Sequence, residues 1–366
     1  MDFAFSEEQN MLREQARSFL ADKLSPERVA EIAASEEGWD KNVFRQIAEL
    51  GWTGLSVPEE AGGAGMGFLD EAVVFEELGR GLFPGPYFST IALALPLLQA
   101  GDDTISAIVS GERTATLAWA EPSGPLVLSD ASRTTAKAER SNGDWTLTGE
   151  KTLVPDASIV DVILVVAAAS DGLGVWAVDR GDAEPVEHST MDRTRRLGSI
   201  TLAGAPGRLI VEPGAADAAL VATRLRALSA VSLEAVGIAQ KALDLSIAHV
   251  TERKQFDKPI GTYQAVSHQV ADMYMDLEIA RSLAYWAAWC VDTSDDQAPV
   301  AVAAAKSAAG EAAVLACERA IQVHGGIGFT WEHVLHLFYK RAQWIAAFEG
   351  SSANQRADIA DTLLGL

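Results

Sequence analysis

The sequence predicts an α+β chain in three parts: a helical N-terminal region (1–112), a central antiparallel β-barrel or sandwich (113–215) and a C-terminal helical bundle (216–366). Two observations carry this reading. Apolar residues recur at helical spacing at both ends of the chain. Between them lie short apolar runs without intervening helices, which favours an antiparallel sheet or barrel over a dinucleotide-binding fold. With 366 residues, 48% hydrophobic and 22% charged, the chain is long enough for several packed layers and has the profile of a soluble globular protein.

The elements follow in order. Ser6 and Gln9 form a candidate capping box, and Leu12, Ala16, Phe19 and Leu20 repeat at helical spacing behind it. The segment Val57–Gly67 is rich in glycine but lacks G-x-G-x-x-G spacing, so it reads as a turn-forming linker. A further helix runs from Phe68 towards Arg80. The texture changes near Thr114, where Thr114–Ala120 alternates apolar with small or polar residues. Asp144–Thr148 and Lys151–Val154, joined by Gly149-Glu150, read as a hairpin. Val160–Val166, Gly174–Asp179 and Arg208–Val211 are further strand candidates. Helix returns from about residue 216. Its clearest stretch places Val266, Val270, Met273, Leu277, Ala280 and Ala284 on one face. The Ala-rich stretch 301–317 permits close helix packing.

A formal net charge of −22 argues against nucleic acid, whose affinity rests on cations neutralising phosphates, and against an anionic membrane surface. An anionic coenzyme then needs locally concentrated positive charge. Arg193, Arg195 and Arg196, and Arg224 and Arg226, are such clusters, although solvated surface arginines explain each one taken singly. Cys290 and Cys317 sit in helical sequence as small apolar residues. The six histidines show no metal-ligand spacing. No apolar run reaches membrane-spanning length, and the acidic N-terminus lacks a signal pattern, so the expectation is cytoplasmic.

Three segments carry chemistry. Glu252-Arg253-Lys254-Gln255-Phe256 ends a helix, with Gln264 following. Gln322-Val323-His324-Gly325-Gly326 also follows a helix, so it is no Rossmann loop. Phe348-Glu349-Gly350-Ser351 closes the set. In that order and at that spacing they resemble the C-terminal signature of the acyl-CoA dehydrogenases, and the resemblance extends over nearly the whole chain. It implies FAD as cofactor and an acyl-CoA thioester as substrate. Glu349 would be the base that takes the alpha proton, with Phe348 and Gly350 lining the substrate. Arg253, Gln255, Phe256, Gln264, Gln322, Gly325 and Gly326 would embrace the FAD of a neighbouring subunit, with Ser351 beside the chain's own. It also implies an electron-transfer flavoprotein as electron acceptor and a homotetramer or α2β2 heterotetramer with a homologous subunit. No metal is expected.

Departures from the family pattern fall in the middle. Where the family carries Thr-Glu-Pro-x-Ala-Gly-Ser, this chain has Ala120-Glu121-Pro122-Ser123-Gly124-Pro125-Leu126. Where the family carries Thr after Gly-x-Lys, it has Pro155 within Leu153-Val154-Pro155-Asp156. The hydroxyls that would face the chain's own flavin are lost, while the positions that reach a partner's are kept. Two readings stay open: an acyl-CoA dehydrogenase with Glu349 as base, and a non-catalytic or FAD-completing subunit of a heteromer. A third is a relative that oxidises a substrate other than a thioester. Glu234, on the same face as Ala227, is the nearest alternative carboxylate; a polar helix position is its plainer explanation.

Overall fold

The computed structural model describes residues 5–99, 101–124 and 126–365; Pro125 lies outside them. Ten α-helices run along the described chain: α1 Glu7–Lys23, α2 Pro26–Ala34, α3 Lys41–Glu49, α4 Phe68–Arg80, α5 Asp103–Val109, α6 Ala216–Glu252, α7 Gln264–Asp292, α8 Ala298–His324, α9 Leu335–Ala347 and α10 Ser352–Leu364. Strands β1 Ala115–Ala118, β2 Lys137–Ser141, β3 Asp144–Pro155, β4 Val162–Ala169, β5 Gly172–Asp179, β6 Val186–Glu187 and β7 Leu197–Val211 lie between α5 and α6; β8 Lys254–Gln255 and β9 Lys258–Pro259 follow α6. They build two units. One comprises the chain up to Glu31, Phe68–Phe83 and everything from Leu228; the other comprises Ile32–Gly67 and Pro84–Ala227.

In the helical unit, the capping box forms as expected: Gln9 N–H donates to Ser6 Oγ at 3.1 Å and the Ser6 amide to the Gln9 side chain. The predicted face of α7 is inside, with Met273, Leu277, Ala280 and Ala284 buried and Val266 and Val270 partly so. α8 is the core helix and packs on α7, α9 and α10. Its small side chains let neighbours approach closely. The segment Ala298–Phe329 has the length and hydropathy of a membrane span, but 67% of its apolar window is buried inside the fold. Where α4 crosses α6, a Cβ on Gly79 would lie 2.1 Å from the Glu234 carbonyl oxygen, and one on Gly237 would lie 2.0 Å from that of Glu76. Only glycine fits on either side. Buried carboxylates on α4 are paired. Glu76 meets Arg281 at 3.2 Å and Tyr285 Oη at 2.6 Å, and Glu77 meets Arg17 at 2.7 Å. Pairing is what lets such charges stay inside. Cys290 and Cys317 are buried free thiols, as expected.

In the second unit, β4 pairs β5 along its full length, β2 through Ala168, and β1 through Val162–Val165. Together with β2–β3, β3–β7 and β5–β7 pairing, the ring β4-β2-β3-β7-β5 closes into a barrel. Two expectations are corrected. First, β3 is one continuous strand and not a hairpin. Gly149 sits just beyond a register shift at Leu147/Thr148, at φ 146°, where a Cβ would come within 2.8 Å of Ala136. The glycine marks an irregularity and a close approach rather than a turn. The real hairpin joins β2 to β3 through Asn142 (φ 54°) and Gly143 (φ 99°), the Asn-Gly pair that two positive φ angles favour. Second, the sheet is not purely antiparallel, since β1 and β2 both run parallel to β4. β1 is buried along its whole length and does not alternate.

Candidate active site

Glu349 lies in the four-residue connection, Phe348 to Ser351, between α9 and α10. It is 7% exposed and holds φ 55°, a left-handed conformation that costs an L-residue free energy. Gly350 follows at φ 99°. Ser351 then caps α10 in a capping box: its amide donates to Asn354 Oδ1 at 3.0 Å, and its hydroxyl lies 2.7 Å from the same oxygen. The Ser351 hydroxyl therefore has a structural partner inside the chain. Gln355, buried on α10, donates from Nε2 to the Glu349 carbonyl at 3.0 Å. Phe348 stacks on Trp344, ring centroids 5.0 Å apart, and so places an apolar surface one residue from the carboxylate. From α8, the fully buried Lys306 directs its ammonium at the Ala346 carbonyl (3.3 Å) and the Gly350 carbonyl (3.4 Å). A left-handed glutamate held by three braces is a built feature.

The cofactor candidates converge elsewhere on the same unit. Arg253 follows directly on α6. Phe256 and Asp257, at φ 52° and 66°, form the two-residue turn between β8 and β9, and Phe256 is 86% exposed. Such a turn wants glycine or asparagine, so a bare phenyl ring there is doubly costly in isolation. Tyr263, just ahead of Gln264, donates to the Gln255 carbonyl at 3.1 Å and sets its ring edge-on to Phe256. His249 of α6 stacks on His324 of α8 at 4.3 Å, which brings the Arg253 end of α6 to the Gly325 end of α8. His333 adds a third ring, 4.6 Å from His324. His324 Nδ1 donates to the Ala320 carbonyl at 2.7 Å. Burial first, then His324 and Arg253, holds His249 below its ordinary range; burial does the same for His324 and, with the neighbouring histidines, for His333. Gly325 ends α8 at φ 65°, and a Cβ at Gly325 or Gly326 would meet open space. Arg253, Gln264 and Gln322 make no side-chain hydrogen bond or ion pair among the described residues.

Along α8, 18 residues separate Lys306 from His324, roughly 27 Å of helix. The His249–His324 stack thus sets the Arg253 end of α6 beside the Gln322–Gly326 end of α8, with Gln255 and Phe256 in the β8–β9 turn and Gln264 following it in the chain, while Phe348, Glu349, Gly350 and Ser351 form a separate turn. Glu234 joins neither group. It is buried, with its carboxylate 3.7 Å from the Arg341 guanidinium inside the helix core, which engages it as a structural group.

In the barrel unit, the divergent segments are tied by a pair whose side-chain roles sequence reasoning missed. Glu121 accepts from Lys151 Nζ at 2.7 Å, Thr135 N–H at 2.8 Å and Ala136 N–H at 3.0 Å. Burial alone would raise its carboxyl, but bonds from Lys151, Thr134, Thr135 and Ala136 hold it down at about 2. Burial brings the Lys151 ammonium down to about 8, against the pull of Glu121. The retained Glu and Lys of the two motifs therefore pin one segment to the other, while Ala120, Leu126 and Pro155 carry no hydroxyl. Leu153 is left half-exposed at φ 53°. The arginine clusters are largely inward: Arg195 lies over the Phe88 ring at 4.5 Å, Arg196 grips Glu187, and Arg226 donates to Ser56.

The sequence and the fold have known relatives. The family model described as acyl-CoA dehydrogenase, N-terminal domain, matches residues 6–107, and the C-terminal domain model matches 219–364. The chain is 35% identical to acyl-CoA dehydrogenase IpdE2 of Mycobacterium tuberculosis, over 92% of this chain and 91% of that one. Among solved structures it resembles a variant of the Tcur3481-Tcur3483 steroid ACAD, with a TM-score of 0.87, 30% identity and 98% of each chain covered. It also resembles a glutaryl-coenzyme A dehydrogenase bound to glutaryl-CoA, with a TM-score of 0.91, 27% identity, and 100% and 97% covered. With its helical ends, its central barrel and these matches, the chain belongs to the acyl-CoA dehydrogenase family of FAD-dependent oxidoreductases.

Proposed function

We propose that this chain carries out alpha,beta-dehydrogenation of an acyl-CoA thioester with Glu349 as the base, and that its hairpin end grips FAD bound by a neighbouring subunit. The observation that carries the first part is the buried, left-handed, triply braced Glu349. A thioester alpha proton is weakly acidic. A carboxylate takes it efficiently only when fixed in place and shielded from water. Burial of Glu349 and the adjoining Phe348 ring supply that shielding, and Gly350 leaves room for an acyl chain to pass. One Glu349 carboxylate oxygen receives the proton. Bound FAD supplies the hydride acceptor that no side chain can provide.

The residues fit the cofactor. Arg253, whose guanidinium has no hydrogen-bond or ion-pair partner among the described residues, is suited to a pyrophosphate. Gly325 and Gly326 expose backbone N–H groups with open space around them, and Phe256 offers an uncovered ring to an aromatic base. All are exposed in the single chain and lie far along α8 from Glu349. That supports an assembly in which these residues serve another subunit's FAD. Exposed Tyr274, Met275 and Ile279 on α7 support burial of this unit against a partner, in a homotetramer or an α2β2 heterotetramer. The N-terminal, barrel and C-terminal regions (1–112, 113–215, 216–366) then act as three functional parts. An electron-transfer flavoprotein as acceptor and a cytoplasmic location belong to the same reading.

One observation favours a second reading, that this chain completes the FAD site of a homologous catalytic partner. Ala120, Leu126 and Pro155 stand where hydroxyls facing the chain's own flavin are expected. The visible spectrum of the chain purified alone decides between the two. About one flavin per chain supports an autonomous enzyme. Flavin that appears only with a co-purified homologue supports the completing subunit.

A further inference from the structure

We propose that Lys306 is a positioning residue for the Glu349 carboxylate, a role that rests on the reading of Glu349 as the base. Lys306 and Glu311 are the only charged residues between Ala298 and Ala316. Glu311 faces Arg356 in a surface pair at 2.6 Å, whereas Lys306 is 1% exposed in the middle of the core helix. A lysine is rarely buried without purpose, because desolvating an ammonium is expensive. Here its Nζ donates to two carbonyls, Ala346 and Gly350. Those two lie on either side of Glu349. Ala346 belongs to the last turn of α9, whose terminal carbonyls lack intrahelical partners. Gly350 is the residue that must turn left-handed directly after the glutamate.

The ammonium thus clamps the chain before and after a residue that is itself in a strained backbone state. Gln355 bonds the Glu349 carbonyl from the opposite helix. Strain of that kind persists only where the surroundings over-determine it. Two consequences follow for the chemistry. The clamp fixes where the carboxylate stands, and small misplacements of a reacting group are costly to rate. A positive charge anchored on the neighbouring residue also favours the ionised carboxylate, the form that accepts a proton. Lys306 touches neither substrate nor cofactor in this account. It acts through Glu349.

The test uses the assembled, FAD-containing protein and the fastest substrate from a panel of straight-chain, branched and ring-bearing acyl-CoA thioesters. Two readouts are followed: incorporation of deuterium alpha to the thioester, by NMR in deuterium oxide, and the pH profile of turnover. Lys306→Met is expected to slow both exchange and turnover roughly tenfold or more. It should also move the acidic limb of the profile to higher pH, with FAD content unchanged. A lysine serving only the fold would lower thermal stability and leave the acidic limb in place. If Glu349→Gln abolishes exchange while Lys306→Met exchanges at the wild-type rate with an unmoved limb, the positioning role is overturned and the base assignment survives. If Glu349→Gln exchanges normally, the base assignment falls and this proposal with it. Should Lys306→Met not be recovered folded, Lys306→Arg decides. It keeps the charge, so the limb should stay in place while the rate falls, and a limb displaced upward overturns the role.

Discussion

The two ends of α8 are built on opposite terms. Near Lys306 the chain is internally braced: Glu349 is buried, its turn is capped by Ser351 and Asn354, and it is bonded from two helices. Past the buried His324 the surface opens: Phe256 is bare, Gly325 and Gly326 look onto empty space, and the Arg253 side chain has no hydrogen-bond partner among the described residues. Both ends hold strained positive-φ residues, Glu349 in one and Phe256 and Asp257 in the other. Under the proposed reading, the base would be held in place by this chain alone, whereas the exposed hairpin end would be completed by a bound cofactor and a neighbouring subunit.

The sharpest way to break this contrast is Glu349→Gln, which keeps shape and removes the proton acceptor. Flavin bleaching by a cognate acyl-CoA should slow by on the order of 100-fold or more, with flavin content and assembly size unchanged. It should be followed by stopped-flow, with the chain alone and with any homologous subunit. Equal rates in mutant and wild type would make Glu349 a relic and favour the FAD-completing reading.

Arg253→Ala probes the open end. A guanidinium on a pyrophosphate contributes roughly 1.5–3 kcal/mol, which corresponds to FAD retention weakened by about tenfold to 150-fold. A solvated arginine would matter by less than about 0.5 kcal/mol. Flavin content after gel filtration separates the two, and the melting temperature should barely move.

The histidine trio ties the hairpin end to α8, and its pH response sharpens the comparison further. The folded-state pKa values of His249, His324 and His333 lie below the ordinary 6.5, chiefly through burial. The unfolded chain therefore binds more protons as pH falls through 6.5, and stability present above that value is lost below it. Arg253 adds to the effect at His249 and Glu252 opposes it. Melting temperature should drop between about pH 7.5 and 5.5, and by less in His324→Gln. A drop of equal size in that variant would remove the trio from the account.

The smallest effect is expected from Phe256→Gly. Glycine relieves the left-handed turn, and little burial is lost from a ring that is 86% exposed. Stability should rise by up to about 1 kcal/mol, while FAD is held less well. A variant that gains neither stability nor flavin loss would show that the ring is not kept there for the cofactor.

What is legible in the sequence is local. The Ser6–Gln9 box, the start of the helix at 216 and the buried face of α7 follow from spacing within a few residues. The proposed site segments stand out in the sequence because the chemistry they would perform calls for particular residue types. What escapes depends on partners distant in the chain. Gly149-Glu150 resembles a turn because nothing nearby shows that β7 runs alongside it. The parallel pairing of β1 with β4 has no local signature. Glu234 reads as an ordinary polar helix position because Arg341, its buried partner, lies more than a hundred residues away. Lys306 stands out only as a lone lysine among alanines, and its targets lie beyond the next helix and at its end.

The unbroken course of α8 also makes it a ruler. Each residue between Lys306 and His324 adds about 1.5 Å and about 100° of rotation. One residue gained or lost there would swing the histidines and the Gly325 corner to another side of the bundle while the Glu349 turn stayed put. Length variation among descendants of this chain should therefore collect in the Val57–Gly67 and Thr293–Gln297 connections, and the interval between clamp and corner should drift in composition but never in count.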